Sequence, residues 1–547
     1  MSQEHMNTRV LPASDPAAIE EGAALLRGGA LVAFPTETVY GLGANALDGD
    51  ACRAIFAAKG RPADNPLIVH VTGFSDLAAL CGPLPPGTEA LCRAFWPGPL
   101  TLVLPKGDAV PSSVSASLPT LAVRCPDHKD ALALLKAAGV PVAAPSANRS
   151  GRPSPTTAAH VKEDLDGVVP LILDGGPCPV GMESTILDLT VSPPALLRPG
   201  GLALEELVKI VGPIAHEGRL LQPEEAPKAP GMKYRHYAPR APLTVCEGSP
   251  ALTARAILDL AGPGDGVLAF DEYRSLYPEG VTVLSFGSRY APKEHAARLF
   301  DGLRRFDAGD FPALYAPCPA GEKGLDRAVR NRLKKASGGR WLTYDKTVIV
   351  GLTGRSCSGK STVGEFFRGQ GAEVIDCDQL YHLLLREDEE LQEALYDRFG
   401  PGVRGEDGFP STRALGEIVF SDKKALDELN YIAHRAVDRT LRPLIEGMEL
   451  CHRPMLVLDA PTLFEAGADR LCDQTVAILA PEEDCVARIV TRDGVTPDYA
   501  RARIASQPDD AYLRARADHV IDNRGGPDEL LTAAKRLYAA LLPKEES

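Results

Sequence analysis

The stretch that most restricts what this chain can fold into runs from Thr347 to Phe367, "TVIVGLTGRSCSGKSTVGEFF". An apolar run of strand character leads into a loop bracketed by two glycines, and a helix-patterned segment follows. The glycines let backbone N–H groups converge on phosphate oxygens, and the helix start adds its partial positive charge. Gly354 to Ser361, "GRSCSGKS", is therefore read as a phosphate cradle, with Gly354, Ser358, Gly359, Lys360, Ser361 and Thr362 around a nucleotide. Lys360 would reach the outer phosphates, and Ser361 would lend an oxygen to Mg²⁺, which prefers phosphates and water to many protein ligands. Such a loop ordinarily stands near the start of its domain. The residues before Thr347 then need an explanation of their own.

At 547 residues the chain is long enough for about three or four domains of roughly 150 residues each. With 44% apolar and 24% charged residues it can bury several cores. The formal charge of −14 argues against non-specific wrapping of nucleic acid, which needs clustered Lys and Arg, but leaves room for a local basic pocket. "MSQEHMNTRVLP" has no cationic start before an apolar core, and no apolar run approaches the ~20 residues of a membrane helix. The twelve cysteines are scattered without a C-x-x-C pair, as expected of thiols in a reducing cytoplasm rather than a zinc or disulfide framework.

Five prolines between Gln222 and Pro242 break the chain, because each fixes φ and removes a donor. Before this break "ALVAF", "LIVHV", "LTLVL", "LAVR", "VPVAA", "LILD" and "STILDL" read as short strands, mixed with a helix over Asp50 to Lys59. After it "LTVCEG", "GVLAF" and "VTVLSFG" alternate with helical stretches to about Trp341. From Thr347, "TVIVGLT", "AEVIDCD", "MLVLDAP", "TVAILAP" and "HVIDN" alternate with helices, the pattern of a parallel sheet covered on both faces. The expected organisation is α/β throughout: residues 1–215, a Pro-rich linker 216–242, a small Rossmann-like α/β domain 243–342, and a phosphate-loop domain 343–547.

In the last domain the second strand ends "VIDCDQLYH", so Asp376 and Asp378 are expected at the carboxyl end of a parallel strand, where ligands bind in open sheets. A carboxylate there can hold an acceptor hydroxyl in line with a γ-phosphate and take its proton. The alternative is that the two aspartates only cap a helix. Arg488, Arg492 and Arg503 lie in helical segments and fit an arginine-lined lid.

The ordered series "GLTGRSCSGKSTV", "VIDCDQLYH", "IVFSD", "LNYIAHR", "LDAPTLFEAG", "RIVTRDG", "ARARIASQ" and "ADHVIDNRG" resembles dephospho-CoA kinase over residues 347–542. The resemblance implies ATP-dependent phosphorylation of the ribose 3′-hydroxyl of dephospho-CoA. It implies Asp378 as base, Lys360, Ser361 and Arg492 at the phosphates, and His434 near the acceptor. The sequence departs from that pattern at Arg355 and Cys357 in the loop, and at Arg435 after His434.

The first domain carries polar clusters at strand ends: Thr36, Glu37, Thr38 and Tyr40; Lys59 and Arg61, with Asn65 and His70 beyond; Arg124; Ser146 and Asn148; Ser184 and Thr185; Arg198. Singly each suits a turn. Together they supply four cations with hydroxyl and amide groups, enough for an anion-binding cavity in an acidic chain. The K-x-R and S-x-N patterns (Lys59, Arg61; Ser146, Asn148) and the linker "APGMKYRHYAP" resemble the long-form YrdC-type threonylcarbamoyl-AMP synthases over residues 10–342.

That resemblance implies a reaction of L-threonine, bicarbonate and ATP that gives threonylcarbamoyl-AMP and pyrophosphate. Lys59 and Arg61 would act in catalysis and, with Asn65, Ser146, Asn148 and Arg198, hold the nucleotide. Thr36, His70, Arg124, Ser184 and Tyr234 would meet threonine and its carbamate, and the linker would fold over the site. The product would pass to a separate tRNA-modifying transferase complex through a transient encounter, with no stable nucleic-acid binding and no membrane. The rival expectation makes the first half an RNA-binding or regulatory module joined to a nucleoside or nucleotide kinase.

Overall fold

The structure, a computed structural model, describes residues 7–216, 237–419, 422–505 and 507–542. Most of the Pro-rich segment, with Tyr234, lies outside the described residues. The chain divides into two compact units, Met1–Glu247 with Thr253–Thr343, and Gly248–Leu252 with Tyr344–Ser547.

The first unit contains two sheets among the described residues. The larger has eleven strands of mixed direction. Alternation along its strands feeds two cores: Val32 and Phe34 enter one and Ala33 the other, and on the next strand Leu171 and Leu173 part from Ile172 in the same way. That is the period of two expected of a sheet buried on both faces. The helix read over Asp50 to Lys59 is Gly49–Lys59, started by the Asp48 side chain and stopped by Gly60 at φ 59°. The left-handed φ at Gly60 turns the chain sharply, so Lys59 ends its helix buried beside the sheet.

The smaller sheet is wholly parallel, in the order Thr282–Gly287, Gly266–Phe270, Leu314–Pro317, Leu243–Glu247, Trp341–Thr343. Its helices Pro292–Asp307 and Gly324–Ser337 send two fully buried arginines, Arg304 and Arg332, onto the larger sheet's loops. Arg304 Nη2 meets Asp164 Oδ2 at 2.7 Å and donates to Pro153 O at 2.6 Å.

In the second unit five parallel strands stand in the order Glu373–Asp376, Met455–Asp459, Val348–Thr353, Gln474–Leu479, His519–Asp522. Val476 and Ile478 pack into one core while Ala477 and Leu479 pack into another, so helices cover both faces. Register places the Cα of Asp376 opposite Asp459, and Asp459 opposite Leu352 beside the phosphate loop. Three strand ends therefore converge at one edge of the sheet, the place where ligands bind in such folds.

Candidate active sites

In the first unit Lys59, Arg61, His70, Arg124, Ser146, Asn148, Ser184, Arg198 and Thr36 line one cavity. Lys59 Nζ donates to the carbonyls of Ser146 and Asn148, and to Asn148 Oδ1 at 3.2 Å. Asn148 Oδ1 also accepts from Ser146 Oγ at 2.5 Å, and Asn148 Nδ2 donates to Arg149 O at 2.8 Å and Arg152 O at 2.9 Å. The S-x-N turn is thus knitted around the lysine. Arg61 reaches Pro66 O at 3.1 Å and Asn65 O at 3.3 Å. Asn65 itself is buried and stands behind the wall rather than in it.

His70 and Arg124 are Cα partners on parallel strands. Arg124 Nη2 lies 2.6 Å from Glu37 Oε1, both side chains being buried. Ser184 Oγ bonds Thr101 Oγ1 at 2.7 Å, and Arg198 donates through Nε and Nη2 to Ser184 O at 3.2 and 3.0 Å. Thr36 Oγ1 donates to Val39 O at 2.6 Å and so closes its turn.

Four cations share this small space, and their electrostatics show it. Burial, then the charge of Arg61, pushes Lys59 well below its usual range. Burial also brings Arg61 and Arg198 down to about 10, so both stay charged at neutral pH. Burial and the neighbouring Arg124 press His70 down to about 3, which leaves it neutral. Crowded buried cations of this kind are best relieved by a polyanion.

Sequence reasoning missed Glu183 and Tyr237 in this wall, and Arg332 behind it. Glu183 accepts from Ser154 Oγ at 2.6 Å and from Arg332 Nε at 3.0 Å, and Tyr237, near the end of the Pro-rich segment, also lines the cavity. An acid next to Ser184 among so many cations was a usable signal. Arg332, in the basic run "VRNRLKK", gave none.

In the second unit a cavity of about 560 Å³ is lined by Gly359, Lys360, Ser361, Thr362, Asp376, Asp378, Asp459, Arg488, Arg492, Arg503 and Asn523, among others. Gly354 and Ser358 lie behind this wall and shape the loop. Gly354 has φ 148° and Gly359 φ 113°, and Ser358 O accepts from the buried Asn523 Nδ2 at 2.7 Å. Arg355 ties the loop to Pro508 O at 2.9 Å, and Cys357 occupies a left-handed φ of 61°.

Of the two aspartates, Asp376 stands at the carboxyl end of its strand and Asp378 lies just beyond it. The strand stops at Asp376, whose carboxylate accepts from Gln379 N at 2.9 Å and caps the helix Cys377–Glu387. Asp378 stands in that helix's first turn. Both still line the cavity. Burial first, then the charge of Asp376, raises Asp378 above the ordinary carboxylate value.

Asp459, on the central strand pair, was missed although "MLVLDAP" ends in it. Its Oδ1 is buried without a hydrogen bond, 3.7 Å from Lys360 Nζ. Arg492 rests on Asp493 at 2.6 and 2.9 Å, and Arg503 joins the same carboxylate at 3.1 Å. His434, on the helix Lys423–Leu450, is not part of this wall.

Comparison with known proteins follows the same division. A family model described as telomere recombination matches residues 24–200, the threonylcarbamoyl-AMP synthase C-terminal domain matches 202–338, and dephospho-CoA kinase matches 348–529. The threonylcarbamoyl-AMP synthase of Bacillus subtilis (strain 168) is 49% identical over 336 residues, 61% of this chain and 96% of that protein. The dephospho-CoA kinase of Symbiobacterium thermophilum is 41% identical over 192 residues, 35% of this chain and 80% of that protein. Among solved structures, P. abyssi Sua5 complexed with L-threonine is 46% identical, with a TM-score of 0.58 over 62% of this chain and 99% of that one. The chain therefore belongs to the threonylcarbamoyl-AMP synthase family over its first part and to the dephospho-CoA kinase family over its last, and is a bifunctional enzyme.

Proposed function

We propose that the first unit condenses L-threonine, bicarbonate and ATP to threonylcarbamoyl-AMP, pyrophosphate and water, and that the second phosphorylates the 3′-hydroxyl of dephospho-CoA. The observation that carries the first reading is the set of Lys59, Arg61, Arg124 and Arg198 around one cavity, with Lys59, Arg124 and Arg198 buried and Arg61 half-buried. Lys59, Arg61 and Arg198 take the triphosphate, with Ser146 and Asn148 shaping the turn beneath it. Arg124 and Ser184 face the threonine carboxylate and carbamate, and neutral His70 and Thr36 complete that end. Asn65 acts on Arg61 from behind. No side chain is needed as a covalent nucleophile, because holding three reactants in line supplies most of the advantage.

The space inside this wall is about 60 Å³, below the roughly 300–1,000 Å³ of ordinary ligand pockets. On this reading the Tyr237 side chain, which stands in the wall, shifts to admit substrate. The adenylate then leaves for a tRNA-modifying transferase in a transient encounter. The chain's acidity suits an enzyme that does not grip tRNA itself.

For the second unit the carrying observation is Asp378 beside Lys360 and the glycine-bracketed loop in one cavity. Asp378 accepts the hydroxyl proton as the γ-phosphoryl moves to the acceptor oxygen and ADP leaves. Lys360 balances the phosphate charge. Arg492 and Arg503 leave Asp493 to close on it, and His434 lies toward the acceptor's far end. Ser361 in the cavity wall and the unbonded Oδ1 of Asp459 suit Mg²⁺, which takes few protein ligands. When bound it would neutralise charge between the outer phosphates. No helix of the described residues is long and apolar enough to cross a membrane, and we place the chain in the cytoplasm, where its scattered free thiols stay reduced.

The test is substrate dependence in purified protein. Pyrophosphate release must require both L-threonine and bicarbonate, and ADP formation must require dephospho-CoA and yield CoA. Salt-sensitive tRNA binding without threonine-dependent pyrophosphate would overturn the first half. Preference for a nucleoside acceptor would overturn the second.

A further inference from the structure

The synthase cavity is braced from behind its wall by a residue from outside its own sheet. Arg332, on the helix Gly324–Ser337, is fully buried and spans two loops of the larger sheet. Its Nε donates to Glu183 Oε2 at 3.0 Å, and Nη2 lies 3.0 Å from the same oxygen. Its Nη1 donates to Pro199 O at 2.7 Å. Glu183 precedes Ser184, and Pro199 follows Arg198, so one guanidinium holds the backbone neighbours of two residues that line the cavity. Its Cζ also stands 5.7 Å from the ring centroid of Tyr237, which stacks on Phe300 at 5.0 Å.

The charge arrangement explains why an arginine is needed. Glu183 is a buried carboxylate within a set of cations that must stay available for a polyanion. The charges of Arg332 and then Arg198 outweigh its burial and hold it down to about 2, so it is ionised at any working pH. Without Arg332 the next charge acting on Glu183 is Arg198, whose guanidinium already lies on Ser184, the residue next to Glu183. A buried carboxylate stripped of its partner is costly enough to recruit a neighbouring cation.

We propose that Arg332 is a positioning residue of the synthase: by neutralising Glu183 and bracing the Pro199 turn, it keeps Arg198 available to the nucleotide. This assigns a purpose to the small parallel-sheet domain, which thereby completes the charge balance of a site built on another sheet. The inference rests on reading that cavity as the threonylcarbamoyl-AMP site.

The test uses the full chain, with ATP, L-threonine and bicarbonate, pyrophosphate as readout, and CoA formation by the same sample as a check that the chain is intact. Arg332→Met is expected to lower kcat/KM for ATP about 10- to 100-fold, the worth of one charged hydrogen bond. Adding Glu183→Gln removes the stranded charge, so the E183Q/R332M double variant should regain most of that loss. A purely structural tie would not behave this way, since the double variant would be as impaired as the single one. Failure of the rescue, or full activity of Arg332→Met, overturns the proposal while leaving the site's function standing.

Should Arg332→Met not fold, Arg332→Lys decides. It keeps the charge but cannot span both loops, so a loss within about tenfold supports the assignment and inactivation refutes it. Absence of threonine-dependent pyrophosphate from the unmodified protein would remove the functional reading, and this inference with it.

Discussion

Replacing Gly359 by alanine isolates the backbone's contribution to the phosphate loop. Gly359 has φ 113°, outside the region that L side chains adopt, and strain of that kind costs about 1–3 kcal/mol. A Cβ there would also stand 2.7 Å from Asn523 Nδ2 and 2.9 Å from Leu530 Cδ2, where real Cβ atoms keep at least 3.0 Å. Asn523 cannot simply swing away, because it is buried and its Nδ2 serves Ser358 O at 2.7 Å. Losing that bond costs roughly 1 kcal/mol more.

A total of about 2–4 kcal/mol lowers the population of the binding-competent loop about 30- to 900-fold, and apparent affinity falls by the same factor. The assay is CoA formation against ATP concentration, with threonine-dependent pyrophosphate release in the same sample as internal control. Gly369→Ala, on the same helix and with nothing within 4 Å of its added Cβ, should leave the kinase unchanged. Wild-type kcat/KM for ATP in the Gly359→Ala protein would refute the reasoning that the loop's shape depends on this glycine.

Removing a like charge should move the kinase's acid limb. Asp378 must be ionised to accept a proton, so the rate falls as pH drops through its pKa, which burial and then Asp376 raise. Asp376→Asn should shift that limb to lower pH in a kcat/KM profile, and an unmoved limb would exclude Asp378 as the titrating base. In the first unit, Arg124→Met strands the buried Glu37 carboxylate 2.6 Å away and should destabilise that unit by about 3–5 kcal/mol. Calorimetry should show most of this recovered in the E37Q/R124M double variant, and additive losses would count against a coupled pair.

What could be read from the sequence was mostly local. The K-x-R and S-x-N patterns pointed to Lys59, Arg61, Ser146 and Asn148 through the family they resemble, and a helix end and a tight turn keep such close neighbours together in the fold. The phosphate loop was legible from its own glycine spacing between a strand and a helix. Asp376 and Asp378 were read as strand-end neighbours. The helix begins at Cys377, inside the strand read to Asp378, since the Asp376 carboxylate caps it by accepting from the Gln379 N–H. Partners distant in sequence left no trace: Arg332 meets Glu183 across 149 residues, and Asn523 meets Ser358 across 165. Only the folded backbone brings those pairs together, and nothing in "VRNRLKK" separates the buried Arg332 from its less buried neighbours Arg330, Lys334 and Lys335. Tyr234, singled out from "GMKYRHYAP", lies outside the described residues, and Tyr237 of the same string stands in the cavity wall.

The most direct measurement takes two variants and both reactions. Lys59→Ala and Asp378→Asn are each assayed for threonine- and bicarbonate-dependent pyrophosphate release and for conversion of dephospho-CoA to CoA. Two separate active sites on one chain require that Lys59→Ala abolish the first reaction and spare the second, and that Asp378→Asn do the reverse. If either variant silenced both reactions, or if the unmodified protein carried out only one, the chain would not be two enzymes in tandem.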